Sequence, residues 1–511
     1  MSLKVIFYPP SFTETYAPRD KPRCLREITL ESLNQLVFEM TGSMTTELVP
    51  QPWESNRVRR LGGIHILLGA AVLAGAIAGL RWDVAWLAQP FYAWAWWGYI
   101  LLLDGYCARK RQSSLLTTRR HCVLPICLWS ITFWFFFELI NGRIQNWYYV
   151  GVFPLDDWVS GSVFAVTAFA TVFMGIFQTM DALGAAGLWR RRQPRERRFS
   201  RRLTYALQWV GLVMGGLALF FPHYLAPLIW GSVTLMVDPW NYRRGAVSLL
   251  RDLEDGDYGR LGRLLLAGLI CGVVWESLNF FAPQKWIYTV RGLEGVKVFE
   301  MPLIGFLGFP ALALDCVAAY AMFSSWLLGN RTWDNPADLS RLPVLRVARS
   351  RGYFWSTALA QMIFWAAVSL AVTPINVASL QVELQDLGLT ASELQRLAQQ
   401  GITRPRQFLQ AIDATDDAAE TFHMNASRLE ELRQRARLYT FKGIGSEHGR
   451  MLESVGVRSP DDLKAWEPEA LHNRLRLCPL RSATPLARPR LDFARAWILA
   501  SRDQAIIQYA R

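Results

Sequence analysis

The sequence predicts an all-α fold: a polytopic membrane helix bundle of two four-helix repeats plus a ninth helix, followed by a C-terminal helix-hairpin-helix domain. Three observations predict it. Of 511 residues, 52% are hydrophobic and 19% charged, with 22 Trp, which excludes disordered, collagen-like and disulfide-scaffold classes and fits no ordinary soluble protein. Nine apolar stretches approach the length that crosses about 30 Å of hydrocarbon. Motifs within them, and again within the tail, recur at fixed offsets.

The chain opens with residues 1–60, which carry scattered charges, Pro9 and Pro10, and no apolar core near the start. No secretory signal is expected there. Leu25 to Met40 has the pattern of an amphipathic helix lying on a membrane or on cytoplasmic loops.

The apolar stretches fall at 62–80, 88–104, 121–140, 159–180, 203–221, 223–238, 262–281, 302–328 and 353–374. The net charge of +13 is concentrated between them, at Arg109, Lys110, Arg111, Arg119 and Arg120 and at Arg190 to Arg202. Lys and Arg cluster in cytoplasmic loops, so the N-terminus is expected inside, with loops 105–120, 181–202, 239–263 and 329–352. Loops 81–87, 141–158 and 282–301 are richer in aromatics (Trp82, Trp86, Trp147, Tyr148, Tyr149, Trp158, Trp286, Tyr288), as an outer interfacial belt would be. An odd number of crossings puts everything after the ninth stretch outside, in a bacterial cytoplasmic membrane.

Asp104-Gly105-Tyr106 with Arg109, Lys110 and Ser114-Leu115-Leu116 recurs as Asp238-Pro239-Trp240 with Arg243, Arg244 and Ser248-Leu249-Leu250, at an offset of 134. Glu138 with Asn141, Trp147 and Tyr149 recurs as Glu276 with Asn279, Trp286 and Tyr288, and Pro154-Leu155 matches Pro302-Leu303. The domains that follow are a cytoplasmic segment 1–60, repeat 1 at 61–185, a basic linker at 186–202, repeat 2 at 203–328, a basic loop with the ninth helix at 329–375, and the tail at 376–511. The repeats are expected to relate by a two-fold axis along the membrane normal.

In the tail, Gly388-Leu389-Thr390, Leu397, Gly401, Pro405 and Phe408 line up at an offset of 55 with Gly443-Ile444-Gly445, Leu452, Gly456, Pro460 and Leu463. A helix, a glycine turn at positive φ and a second helix form a hairpin. Residues of about 380–503, with the Lys442-Gly443-Ile444-Gly445 turn, Leu471-His472 and Trp497-Ile498-Leu499-Ala500, resemble the uncharacterised bacterial family of tandem helix-hairpin-helix domains. That resemblance implies a small all-α module and no chemistry. The paired ExxN and WxY patterns are faintly similar to membrane-embedded carotenoid cyclases and hydratases.

Glu138 and Asn141, like Glu276 and Asn279, lie one turn apart on a helix face. An acid inside a membrane is a functional candidate, and Glu138, Glu276 and Asp315 are the catalytic candidates if the chain is an enzyme. Asn141, Asn279, Trp147, Trp286 and Tyr288 are the binding candidates. The alternative reading is a structural clamp in which each Glu and Asn bonds the Trp and Tyr of the next loop. Asp104 and Asp238 are expected to pair with Arg109 and Arg243, and Asp315 to face the bundle interior. The glycines and prolines of 299–310 suit close helix packing.

Seven cysteines without a CxxC pair and six histidines without HxxxH spacing give no metal site. No cofactor is predicted, although a bound lipid or pigment is compatible with the composition. Lys442, Gly443, Gly445 and Arg450 are the hairpin's candidate docking residues. A hairpin of this kind can hold a phosphate, but Lys and Arg in the tail barely outnumber Asp and Glu, which argues against nucleic acid and for protein docking. The leading expectation is a membrane scaffold or accessory subunit, with membrane lipids and other membrane subunits as partners. The alternative is a membrane-embedded enzyme acting on an isoprenoid or other lipid.

Overall fold

The computed structural model of the chain describes residues 52–152, 158–189, 198–290, 297–328, 332–334, 351–415, 417–478 and 488–502. The chain divides into Met1–Ser55 and Asn56–Arg511, and apart from the first residues of the helix that begins at Pro52 the features below belong to the second. The expected amphipathic helix over Leu25 to Met40 lies outside the described residues, as do Pro154-Leu155 and most of loop 329–352.

Among the described residues, seven helices are long and apolar enough to cross a membrane: Ser55–Arg81, Arg120–Ile144, Gly161–Ala185, Arg201–Phe220, Tyr258–Phe281, Leu303–Leu327 and Trp355–Asn376. Two of the nine expected stretches fall short. Phe91–Arg111 is one continuous helix, but Asp104 together with its three Trp and three Tyr lowers its mean hydropathy. Residues 223–238 are broken into Pro222–Leu225, Ala226–Ile229 and Ser232–Arg243. Pro227 cannot donate in a continuous helix, and Gly231 at φ +84° turns the chain.

The helices of the bundle are labelled α1 (Pro52–Arg81), α2 (Phe91–Arg111), α3 (Val123–Ile144), α4 (Trp158–Phe169), α5 (Thr171–Ala185), α6 (Arg201–Phe220), α7 (Ser232–Arg243), α8 (Tyr258–Phe281), α9 (Gly308–Leu327) and α10 (Arg351–Asn376). Small residues let α1 and α2 cross closely: a Cβ on Gly105 would stand 2.4 Å from the Gly62 carbonyl oxygen. Such backbone contact is how helices associate where lipid removes the hydrophobic drive. α10 packs along α3, where Thr132 donates to Gln361 (2.6 Å) and accepts from Trp365 (2.9 Å).

The fold is mostly helical but not all-α. Trp147–Val150 (β1) and Lys285–Tyr288 (β2) pair antiparallel in the register Trp147↔Tyr288, Tyr148↔Ile287, Tyr149↔Trp286 and Val150↔Lys285. A shorter ribbon joins Lys297–Val298 to Met301–Pro302. Because side chains alternate along a strand, the β1–β2 ribbon has two working faces. Trp147, Tyr149, Trp286 and Tyr288 pack with the membrane helices, whereas Tyr148, Val150 and Ile287 belong to the hydrophobic core of the tail. The Tyr148 ring lies 4.1 Å from that of Phe493.

After α10 the chain runs beside β1, with Ala378 N–H donating to the Tyr149 carbonyl (2.9 Å) and Gln381 N–H to that of Val152 (3.0 Å). The tail is therefore seated on the ribbon end of the bundle. It contains α11 (Ala391–Gln399), α12 (Pro405–Asp413), α13 (Ala426–Thr440), α14 (Gly445–Ser454), α15 (Pro468–Arg476) and α16 (Leu491–Arg502). Left-handed Gly388 precedes α11, and left-handed Gly443 and Gly445 precede and open α14. Thr390 stands where the second turn has Gly445 because its side chain caps α11 in a box with Glu393.

Candidate functional site

Helix periodicity puts Glu138 and Asn141 on the face of α3 below the ribbon. Asn141 accepts from the N–H groups of Asn146 (2.9 Å) and Trp147 (3.3 Å) and donates to the Trp147 carbonyl (2.9 Å). Asn279 does the same on α8, accepting from Trp286 N–H (3.0 Å) and donating to its carbonyl (2.9 Å). Each Asn thus fixes the first turn of chain leading into a strand. Tyr149 donates to Glu138 (2.6 Å) and Tyr288 to Glu276 (2.9 Å).

The two acids then differ. Glu138 also accepts from Trp147 Nε1 (3.2 Å) and, on its other oxygen, from Asn376 Nδ2 (3.1 Å). Glu276 Oε2 has no partner among the described residues. The difference comes from α10, whose last residue, Asn376, reaches α3 and has no counterpart beside α8 among the described residues.

A cavity of about 350 Å³ lies along this edge of the bundle. Its walls include Trp134, Phe164, Phe169, Trp275, Met362 and Trp365, and its polar lining residues include Glu138, Tyr149, Gln284, Lys285 and Asn376 beside Tyr92 and the hydroxyls of Ser162, Ser369 and Thr373. An apolar cavity on which a few polar groups converge is the usual form of a small-molecule site. Among the catalytic candidates only Glu138 lines it, and among the binding candidates only Trp286. Trp147, Asn141 and Asn279 hold the ribbon above it, and Tyr288 holds Glu276.

Asp315 is elsewhere. Its carboxylate accepts from Gly231 N–H (2.9 Å), Thr234 N–H (2.7 Å) and the Thr234 hydroxyl (2.5 Å), closing the N-terminal turn of α7. A tertiary carboxylate here satisfies donors that a helix leaves unpaired. Asp104 and Asp238 also meet backbone rather than the expected arginines. Asp104 accepts from Leu116 N–H (2.9 Å), Ser114, Gln178 and His65, and Asp238 from the N–H groups of Leu249 (2.8 Å) and Leu250 (2.9 Å). Arg243 instead bonds Gln208 and lies over the Tyr205 ring.

The hairpin candidates are engaged within the chain. A Cβ on Gly443 would lie 2.2 Å from Val150, and one on Gly445 would lie 2.5 Å from Ser379, so the turn presses directly on β1 and on the segment after α10. Lys442, held at φ 43°, donates to Glu300 (2.7 Å), whose carboxylate is also 4.0 Å from Lys285. Burial pushes the Glu300 carboxyl up, but Lys442 and Lys285 outweigh it and hold the group below its ordinary range. Burial lowers the Lys285 ammonium to about 8, with Glu300 opposing and Lys442 adding to the shift. Arg450 bonds Glu447 (3.1 Å) one turn away and remains partly exposed.

Gln284, Lys285, Tyr149 and Asn376 are absent from the residues that sequence reasoning singled out as site candidates. The available signals were the WxY spacing, whose period of two is a strand's, and Asn376, a polar residue ending an apolar helix.

Residues 387–503 match a family described only as a domain of unknown function, DUF4332. This places an uncharacterised domain at the C-terminus, within the tail bounded above. No curated protein and no solved structure matches the chain.

Proposed function

We propose that this chain is a membrane-embedded protein that holds an apolar lipid in the cavity beneath the ribbon, with Glu138 positioned to exchange a proton with it. The observation that carries this is the meeting of apolar walls with Glu138, Asn376, Gln284 and Lys285 at one place. The similarity of the ExxN and WxY patterns to carotenoid cyclases and hydratases points to an isoprenoid as the lipid. Asp315 and Glu276 fall outside the chemistry on this reading, because neither lines the cavity.

The architecture we infer is two four-helix repeats about an axis normal to the membrane. The register of the ribbon supports it: equivalent strands pair antiparallel about Tyr148 and Ile287, as a two-fold axis through that pair requires. The equivalent clamps of Asn141 and Asn279, and of Asp104 and Asp238, support it further. Arg-rich loops lie away from the ribbon end, which favours a cytoplasmic N-terminus and an outer tail in a bacterial cytoplasmic membrane. The tail reads as tandem helix-hairpin-helix modules whose second turn docks on the chain's own ribbon. A phosphate or a separate protein would have to displace Val150 and Ser379 to reach Gly443 and Gly445, which weighs against nucleic acid and against a scaffold that works through this turn.

The test is purification with native lipids followed by extraction and mass spectrometry. A stoichiometric apolar lipid is expected, and Glu138→Gln should retain it while abolishing any conversion of it in membranes. Stoichiometric recovery of other membrane subunits with no bound lipid would replace this reading with the scaffold.

A further inference from the structure

Gln284 stands in the short connection between α8 and β2. It is 4% exposed, it lines the cavity, and neither its amide nitrogen nor its amide oxygen has a hydrogen-bond partner among the described residues. Asn376 is 1% exposed and donates to Glu138, yet its Oδ1 is also unpartnered. Buried amide groups are nearly always paired, because an unpaired one forfeits its hydration with nothing in return. Gln284 and Asn376 both line the one cavity, and turning either side chain presents its unpaired amide atoms to a molecule that completes them.

The charges around them restrict its head. An anionic head would meet the Glu138 carboxylate, and a cationic one would meet Lys285. Lys285 is itself occupied, donating to the Phe280 carbonyl (2.5 Å) and facing Glu300. A hydroxyl suffers neither repulsion, and it both accepts from an amide N–H and donates to an amide oxygen. The volume of about 350 Å³ sits at the small end of ligand cavities, which favours one chain over two. We propose that the cavity binds a single-chain lipid with an uncharged hydroxyl head, read by Gln284 with Asn376. The assignment rests on the lipid-holding reading above.

The experiment uses the full chain in phosphatidylcholine nanodiscs and a diazirine-bearing hexadecanol as photoprobe. Unlabelled hexadecanol should compete at least tenfold better than hexadecyl phosphate or hexadecylamine. Gln284→Leu should weaken the alcohol about tenfold while leaving the melting temperature unchanged or raised, because it removes an unpaired buried amide; a purely structural Gln284 would lower it. Equal competition by the phosphate, or unchanged alcohol binding in Gln284→Leu, overturns the hydroxyl assignment and leaves the lipid site standing. Ala168→Phe fills the cavity and should abolish labelling, with Ala165→Phe in its place if the first does not fold. Labelling that is absent in the natural sequence, or undiminished in the filled variant, overturns the lipid site and the hydroxyl assignment together.

Discussion

Asp315 shows how little a residue's type and depth reveal without its neighbours. A lone acid in an apolar helix reads as a functional group, and its interior position was legible in the sequence. Its role was not, because the donors it meets are the N–H groups of Gly231 and Thr234, exposed only because Pro227 and Gly231 break the preceding stretch. Asp315→Ala should lower stability in detergent by about 1–3 kcal/mol, the cost of unpaired buried donors, with lipid retention unchanged in whatever fraction stays folded. Lipid loss at unchanged melting temperature would instead make Asp315 part of the site. The Glu138 and Glu276 pair teaches the same lesson from the other side. Spacing showed two equivalent acids; only α10, arriving from more than two hundred positions away, walls a cavity beside one of them.

At the scale of elements, the ribbon is what the hydropathy pattern obscured. Its aromatics read as an interfacial belt, although Trp-x-Tyr in both loops has the two-residue period of a strand. Four-residue strands are too short to stand out in an apolar chain, and their partner is distant in sequence, so pairing could not be read locally. The ribbon's outer face also explains why the hairpin needs glycine. Gly443→Ala adds a Cβ 2.2 Å from Val150 at a positive φ, and should release the tail, seen as faster proteolysis between α10 and α11. Adding Val150→Gly should restore part of the protection, since it removes the Val150 Cβ and methyls that the new Cβ meets but not the backbone strain; Val150→Ala, which keeps that Cβ, should not. Docking should also depend on pH through Glu300. Its carboxyl titrates below the ordinary value of 4.5 when docked, so its contribution is complete above that value and is lost as pH falls through the depressed one. Tail release on acidification below about pH 4.5 should be weaker in Glu300→Gln, which lacks the charged contact throughout. Equal acid sensitivity in both proteins would assign the release to other groups.

For the whole molecule, the sequence led to nine apolar stretches, loop charge and a separate tail, and seven of those stretches are membrane-length helices. The relation of tail to bundle was hidden, because it depends on Tyr148, Val150 and Ile287 joining the tail's core. That relation sharpens the question of sidedness. Helix α10 ends at the ribbon, and the tail begins there by pairing with β1, so tail and ribbon loops must share one side of the membrane. Arg109, Lys110, Arg111 and Arg119 lie at the other end of α2 and α3, and positive loops stay in the cytoplasm. The tail is therefore expected outside. Cys478 is the cysteine of the tail and is partly exposed, so a variant retaining it alone should react with a membrane-impermeant maleimide in intact cells whose outer boundary is permeable. Ser501, otherwise a natural control position, is 2% exposed and bonded to the Ile498 carbonyl; exposed Ser392, introduced as Ser392→Cys, is the better one. Both thiols should label without lysis. If both label only after the cytoplasmic membrane is opened, the ribbon and tail are cytoplasmic together, the loop-charge argument is inverted for the whole bundle, and the cavity opens toward the inner leaflet instead of the outer.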